Sequence, residues 1–211
     1  MSGFAWIGAR RALALAALVL TLSAGFALPA SETKIERIVS PGGIEAWLVR
    51  EPSQPLVAME FAFRGGSSQD PADKPGVAHM LTTLLDEGAG DLDSRAFSER
   101  LEDKAIELKF VAGRDTITGS LRTLVDHRDE AFGLLKLALT SPRFDPEAVE
   151  RMRAAILSEL RRQSTQPSEL ADRQWWETAF PGHPYGHAVQ GTIASVEGID
   201  AADLRGYVGR V

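Results

Sequence analysis

The fold of this chain is decided by residues 76–88, which read Gly-Val-Ala-His-Met-Leu-Thr-Thr-Leu-Leu-Asp-Glu-Gly. The polar side chains of this segment recur three or four residues apart, and such residues share one face of a helix. They are His79, Thr82, Thr83 and Asp86. Leucines and a methionine occupy the opposite side. The pattern predicts a helix from about residue 75 to residue 87, which glycines at 88 and 90 end and whose apolar side faces a core.

The segment resembles an inverted zinc motif, His-x-x-Glu-His, with most of its chemistry replaced. Such a helix presents two imidazoles and a carboxylate on one face. Here only His79 is retained, because Thr82 stands at the position of the catalytic Glu and Thr83 at that of the second His. Taken alone, the stripe is also typical of a solvated helix face with an incidental histidine.

A second helix, predicted from Asp145-Pro146 to about Gln163, carries a carboxylate among apolar residues. Met152, Ala155, Ile156 and Glu159 lie at helical spacing, which places Glu159 on the apolar face and away from Arg162. A buried carboxylate requires a partner. Glu159 is therefore interpreted either as a former metal ligand opposite the motif helix or as a boundary residue paired with an arginine.

Several further segments together resemble the insulinase-like family of zinc metallopeptidases, which includes pitrilysin and the mitochondrial processing peptidase. The family pattern around its first ligand is Gly-x-Ala-His, as in residues 76–79, and its third ligand is a Glu at the spacing of Glu159. His183-Pro184-Tyr185-Gly186 and the stretch from Gly191 to Val196 resemble later family motifs, as does the end of a strand at 64–67. The resemblance extends from about Ile38 to the C-terminus.

This resemblance implies that His79 and Glu159 are two of three zinc-ligand positions, with Thr83 at the third and Thr82 at the general base. A catalytic zinc site needs three protein ligands and an open water position, and a carboxylate must accept the water proton. Threonine supplies neither function near neutral pH. We therefore expect no cofactor, zinc bound weakly at best, and no catalytic residue. A residual metallopeptidase would need a replacement ligand such as Asp86 or His187.

The remaining histidines and the tryptophan pair are interpreted structurally. His183 and His187 have the spacing of two ligands on a helix, but Pro184 and Gly186 favour a loop. Trp175 and Trp176 are expected in the core and at its boundary. His127 is expected at the surface, at the start of a helix.

Composition argues against a nucleic-acid partner and excludes every site that needs cysteine. The chain has 211 residues, a formal net charge of −6 and no cysteine. It has no basic stripe, so a nucleic acid is not expected as a partner. Disulfides, thiol nucleophiles and cysteine-ligated metals are excluded.

The N-terminus is typical of a secretory signal peptide. Arg10 and Arg11 precede an apolar run from Ala12 to Leu22, and small residues follow to Ala30. The run is short for a membrane span, so we expect residues 1–30 to be removed and the mature chain to be periplasmic or secreted, with no stable membrane span. A membrane anchor is the alternative.

The order of the predicted elements indicates an α+β fold, an antiparallel sheet packed on one side by helices. Ile38-Val39 and Ile44–Val49 are predicted to form a hairpin around Ser-Pro-Gly-Gly. Further strands are predicted at Leu56–Phe63, Ile106–Ala112 and Thr116–Thr123, and Asp126 is expected to cap the helix after the last of them. Residues 31–37 are expected to be a polar leader. Residues 38–211 would form one metallopeptidase-like lobe that lacks its closing strand and is C-terminally incomplete.

Members of the family enclose a chamber with two lobes or two subunits, one of which can lack zinc. The resemblance thus implies an exported, non-catalytic, peptide-binding partner that completes the chamber of an active zinc peptidase subunit. A residual zinc metalloendopeptidase and a stand-alone peptide-binding protein are the alternatives.

Overall fold

A computed structural model describes residues 34–210, which divide between two compact units, one ending at Ser53 and the other beginning at Gln54. The first contains a β-hairpin, β1 (Ile35–Val39) paired antiparallel with β2 (Glu45–Val49). Arg37 and Glu45 form an ion pair across the two strands. The hairpin is confirmed, although β1 begins three residues before the predicted start and includes the last part of the expected polar leader.

The second unit is built on a three-stranded antiparallel sheet. Its strands are β3 (Leu56–Arg64), β4 (Glu107–Ala112) and β5 (Thr116–Leu124), in the order β3-β5-β4. Gly119 of β5 lies opposite Phe61 of β3. A Cβ at this glycine would be 2.2 Å from the Phe61 ring, so the close approach of the ring to the backbone explains the glycine.

Helices form the second layer of this unit. In chain order they are α1 (Val77–Thr82), α2 (Ser94–Asp103), α3 (Arg128–Thr140), α4 (Pro146–Gln163), α5 (Pro167–Ala179), α6 (Ile193–Gly198) and α7 (Ala201–Val208). All except α5 contribute buried residues to the core on one face of the sheet. Ile117 packs with Met80 and Ile156 in one cluster, and Leu121 packs with Phe97 and Leu134 in another. The residues of the opposite sheet face, including Glu60, Lys109 and Arg122, are exposed. The predicted α+β class is confirmed.

Three features of the helices differ from the sequence predictions: the end of α1, the residue that caps α3, and the presence of α6. The motif helix α1 ends at Thr82, five residues before the predicted end. Asp126 does not cap α3: it lies in a 3-10 turn, and the residue at the cap is His127, whose side chain makes no capping bond. Helix α6 was not predicted, because its signal is a capping box between Thr192 and Ser195 inside a glycine-rich segment.

The signal-peptide prediction concerns residues 1–30, which lie outside the described part of the chain. Between residues 34 and 210, no helix combines the length and the apolar character needed to cross a membrane.

Candidate functional site

Helix α1 begins in a fixed position because an aspartate accepts hydrogen bonds from its first N–H groups. The Asp70 carboxylate accepts from the N–H of Gly76 at 2.7 Å and from that of Ala78 at 2.9 Å. Burial raises the pKa of the Asp70 carboxyl to about 6. Asp70 thus supplies the cap that Gly76 lacks. No local pattern around Asp70 predicts this role.

The Gly-Thr…Ser segment at 191–195 supports the same end of α1 from the other side. The Ser195 hydroxyl donates to the carbonyl of Pro75 at 2.7 Å. Gly191 has φ +79, and a Cβ there would be 2.3 Å from the Pro75 carbonyl oxygen. The contact requires glycine both for its backbone conformation and for space. The motif therefore positions α1 rather than contributing reactive groups.

Thr82 and Thr83, which were predicted at the general-base and second-ligand positions, use their hydroxyls within the helix itself. Thr82 is buried, and its hydroxyl donates to the His79 carbonyl at 2.8 Å. The Thr83 hydroxyl donates to the Met80 carbonyl at 2.9 Å. Neither side chain therefore offers a basic group to a substrate or to a water molecule.

Helix α1 ends where the backbone bonding changes after Thr83. In a continued helix, the Leu84 N–H would bond to the Met80 carbonyl. It bonds instead to the Leu81 carbonyl at 2.9 Å, while the Met80 carbonyl accepts from the Thr83 hydroxyl. Threonine side chains bonded to the backbone in this way weaken and bend helices. The segment after Thr83 continues as tight turns, and Asp86 lies there.

His79 is the retained member of the motif. It lies on α1 between buried neighbours and is itself partly buried. Burial lowers the pKa of its imidazole, so the ring is neutral near pH 7 and competent to bind a metal. Over residues 34–210, no group of three His, Asp or Glu side chains is arranged to hold a metal ion.

Glu159 lies on the flank of α4, not on its buried face. Its carboxylate accepts from Arg162 Nε at 2.9 Å and from Gln163 Nε2 at 2.8 Å, and the side chain is 39% exposed. The hydrogen bond from Arg162 lowers the pKa of Glu159. The expectation that Glu159 points away from Arg162 is wrong, since residues three apart share a helix face. Ala155, predicted on the apolar face, is exposed.

The other histidines have structural positions. His183 precedes a 3-10 turn at Pro184–Gly186, and its Nδ1 accepts from the Tyr185 N–H at 3.2 Å. The prediction of a loop here is confirmed. His187 follows this turn and is partly buried, and His127 stands at the start of α3 as expected.

The tryptophans of α5 differ from the prediction. Trp175 is 57% exposed rather than in the core. Trp176 is partly buried and stacks on Phe180, with ring centroids 5.3 Å apart. No residue of α5 is fully buried, because this helix lies on the surface of its unit.

Comparisons with known proteins show which family this chain resembles. A model of the insulinase family, peptidase family M16, matches residues 46–193. The chain is 30% identical over 157 residues to a Helicobacter pylori protein named non-peptidase homolog YmxG, covering 74% of this chain and 36% of that protein. It is 25% identical over 181 residues to the probable mitochondrial-processing peptidase subunit beta of Arabidopsis thaliana, covering 86% and 34% respectively. The chain thus spans about a third of the length of these curated relatives.

Solved structures give the same grouping. The crystal structure of a peptidase M16 inactive domain from Pseudomonas fluorescens superposes with a TM-score of 0.78 at 26% identity, covering 83% of this chain and 43% of that one. Pitrilysin superposes with a TM-score of 0.73 at 20% identity, covering 86% and 20% respectively. The second likeness concerns the fold alone.

Proposed function

Because the chain belongs to the insulinase family, peptidase family M16, we propose that it is a non-catalytic member that binds extended peptides and completes the chamber of an active zinc peptidase subunit. The observation that carries this proposal is the burial and hydrogen bonding of the Thr82 side chain. Its buried hydroxyl is donated to the His79 carbonyl, at the position where the family has its general base. Without a carboxylate there, a metal-bound water has no proton acceptor.

The zinc-ligand positions support the same proposal. His79 retains a neutral imidazole, but Thr83 has turned its hydroxyl to the backbone and Glu159 is paired with Arg162. His79 and Glu159 together are two potential ligands, and a catalytic zinc requires three protein ligands. We therefore propose that zinc binding is weak and that no step of hydrolysis uses this chain's own residues. The relatives named as a non-peptidase homolog and as an inactive domain support this assignment.

Peptide binding is proposed at the free edge of β4. In the described sheet, β4 pairs with β5 on one side and forms the outer strand on the other. Helix α1, which carries His79, packs against this strand. An extended peptide can add to such an edge through main-chain hydrogen bonds. The peptide would then lie beside the former zinc position, where an active subunit would hold it for cleavage.

An active partner of the same family is part of the proposal. The Arabidopsis relative is a subunit of a processing peptidase by name, and a human relative is named cytochrome b-c1 complex subunit 1. Subunits of this family therefore work within assemblies. We propose that this chain pairs with a homologue that retains the full His-x-x-Glu-His motif.

Export is proposed from the N-terminal segment. The Arg10-Arg11 pair, the apolar run and the small residues before Ala30 support cleavage of a signal peptide. The mature chain and its partner would then act in the periplasm or outside the cell. Mass spectrometry of the mature N-terminus tests this point, and an uncleaved N-terminus would contradict it.

Two alternatives remain distinct from this proposal. A residual metallopeptidase would need Asp86 or His187 as a ligand, and Asp86 lies beyond the end of α1. A stand-alone peptide-binding protein would bind peptides without an active homologue. Stoichiometric metal in the purified chain would favour the residual metallopeptidase over the proposed function. Copurification of an intact-motif homologue would argue against the stand-alone peptide-binding protein.

The experiment measures zinc content and peptide affinity of the full chain. Zinc is measured by elemental analysis after dialysis, and we expect much less than one equivalent. Peptide binding is measured with two versions of one peptide sequence. One version is N-methylated at its odd-numbered residues and the other at its even-numbered residues. Only one set of N–H groups of an added strand faces β4, so one version should lose binding and the other should retain it. Stoichiometric zinc would contradict the first claim, and equal behaviour of both peptides would contradict strand addition.

A further inference from the structure

A cavity of about 180 Å³ lies between α4, α5 and the turn that follows β4. Six of its lining residues decide its chemistry: Arg114, Leu160, Gln163, Arg173, Trp176 and Gln190. Gln163 also bonds to Glu159, so the cavity is adjacent to one of the former zinc-ligand positions. Arg114 lies two residues beyond the last residue of β4. The cavity therefore lies close to the C-terminal end of β4.

The Arg114 guanidinium is held in one orientation. Its Cζ lies over the Trp176 ring, 3.4 Å from the ring centroid, and Trp176 in turn stacks on Phe180. Arg114 Nε donates to the Tyr185 carbonyl at 3.3 Å. An arginine fixed by stacking and by Nε loses little freedom when the far edge of its guanidinium binds a ligand.

That far edge is free. Over residues 34–210, neither terminal nitrogen of Arg114 has a hydrogen-bond partner, and neither Arg114 nor Arg173 is within 4.0 Å of a carboxylate. Burial lowers the pKa of Arg114, and the nearby Asp172 and Asp115 act against that effect. Asp115 is already bonded to the Tyr185 hydroxyl at 2.6 Å. Both terminal nitrogens of the partly buried Arg114 guanidinium are therefore available to a hydrogen-bond acceptor on a ligand.

Acidic residues of the cavity lie at its rim. Asp172 and Glu169 are both exposed, whereas Arg114, Arg173, Gln163 and Gln190 are partly buried. Water and salt screen exposed charges more strongly than partly buried ones. The interior therefore favours an anion, with amide donors beside the guanidinium, and the rim acids weaken that preference without reversing it.

We propose that this cavity binds a carboxylate of the peptide, with the free edge of Arg114 forming a bidentate pair. Planar, two-point recognition of carboxylates is the role for which a guanidinium is suited. The carboxylate belongs either to an acidic side chain or to the C-terminus of the peptide. This inference rests on the proposed function, since it names a chemical preference of the peptide that β4 is proposed to bind.

The test uses the full chain and one peptide sequence in three forms, titrated by calorimetry. One form is neutral, one has a single internal Glu in place of Gln, and one has a free C-terminal carboxylate. We expect at least one charged form to bind about tenfold more tightly than the neutral form. The form that gains affinity identifies the source of the carboxylate. Arg114→Gln should remove the tenfold advantage and leave the affinity of the neutral peptide unchanged.

Two further variants keep the test informative if Arg114→Gln is poorly folded. Asp172→Asn removes an exposed competing charge and should tighten the charged peptide about twofold to threefold. Arg128→Gln, at the exposed start of α3, is the matched control and should leave the affinity of all three peptides unchanged. Equal affinity of all three peptides would overturn the carboxylate site while leaving peptide binding intact. Binding of no peptide at all would overturn the proposed function and this inference with it.

Discussion

Thr83 is the residue at which the proposed loss of a zinc ligand can be tested most simply. It stands four residues after His79 in helical backbone conformation, with its N–H directed to the His79 carbonyl. Thr83→His would place a second imidazole one turn from the first, with Glu159 as a third candidate ligand. The Glu159–Arg162 ion pair is partly exposed, and such pairs are weak enough to open. We predict at least a tenfold gain in zinc affinity, measured by competition with a chelating dye.

The control for this substitution adds a histidine elsewhere. Thr140→His, at the exposed end of α3, should leave zinc affinity unchanged. Glu159→Gln in the Thr83→His background should remove most of the gain. Equal gains from both histidine variants would mean that His79 and Glu159 are not former ligand positions. Cleavage should stay absent in every variant, because Thr82 still provides no base.

Asp70 gives the fold a predicted dependence on pH. Burial raises the pKa of its carboxyl to about 6 from the ordinary 3.8, although the α1 N–H groups act in the opposite direction. The folded chain therefore holds this proton more tightly than the unfolded chain. The resulting stabilisation is fully present below about pH 4 and is lost as the pH rises through 6. A difference of about two pKa units corresponds to at most about 3 kcal/mol of unfolding free energy.

Asp70→Asn removes this titration and retains a side-chain oxygen for the α1 N–H groups. The Tm of the variant, relative to that of the unsubstituted chain, should rise between pH 4 and pH 7. Asp126→Asn, at an exposed side chain, serves as the control and should show no such trend. A relative Tm that falls with rising pH would mean that the bonds from Gly76 and Ala78 outweigh burial.

Among the elements, α1 depends most on a contact distant in sequence. Gly191→Ala would force a side chain into positive φ and place its Cβ 2.3 Å from the Pro75 carbonyl oxygen. We predict a loss of at least about 2 kcal/mol in the free energy of unfolding, measured by urea denaturation. Gly198→Ala is the matched control, because its Cβ would meet no atom within 4 Å. Equal effects of the two substitutions would contradict the role given to the Gly191–Pro75 contact.

The elements that the sequence predicted well are those with a strong burial pattern. Periodicity placed Met80, Leu81 and Leu84 in the core, and they are buried. It did not place the end of α1, since Leu84 is buried whether its N–H bonds to Met80 or to Leu81. Periodicity also placed Glu159 away from Arg162, whereas the two side chains form an ion pair. The support from Asp70 and Ser195 arises from tertiary contacts, for which no local pattern exists.

At the scale of the whole molecule, the proposed function rests on a free sheet edge beside a predicted metal position. In the described sheet, β4 is paired on one side only, and α1, which carries His79, packs against it. Under this proposal, the lobe contributes to proteolysis by holding a substrate for another subunit. Activity should therefore depend on the assembly rather than on this chain.

The most direct test of this account is the rate of peptide cleavage by an intact-motif homologue from the same cell, measured with and without this chain. We predict no cleavage by this chain alone, and a rate that rises with added chain until the two are equimolar, with zinc remaining in the homologue. Chelator-sensitive cleavage by this chain alone would contradict it, because a replacement ligand and a replacement base would then have to exist.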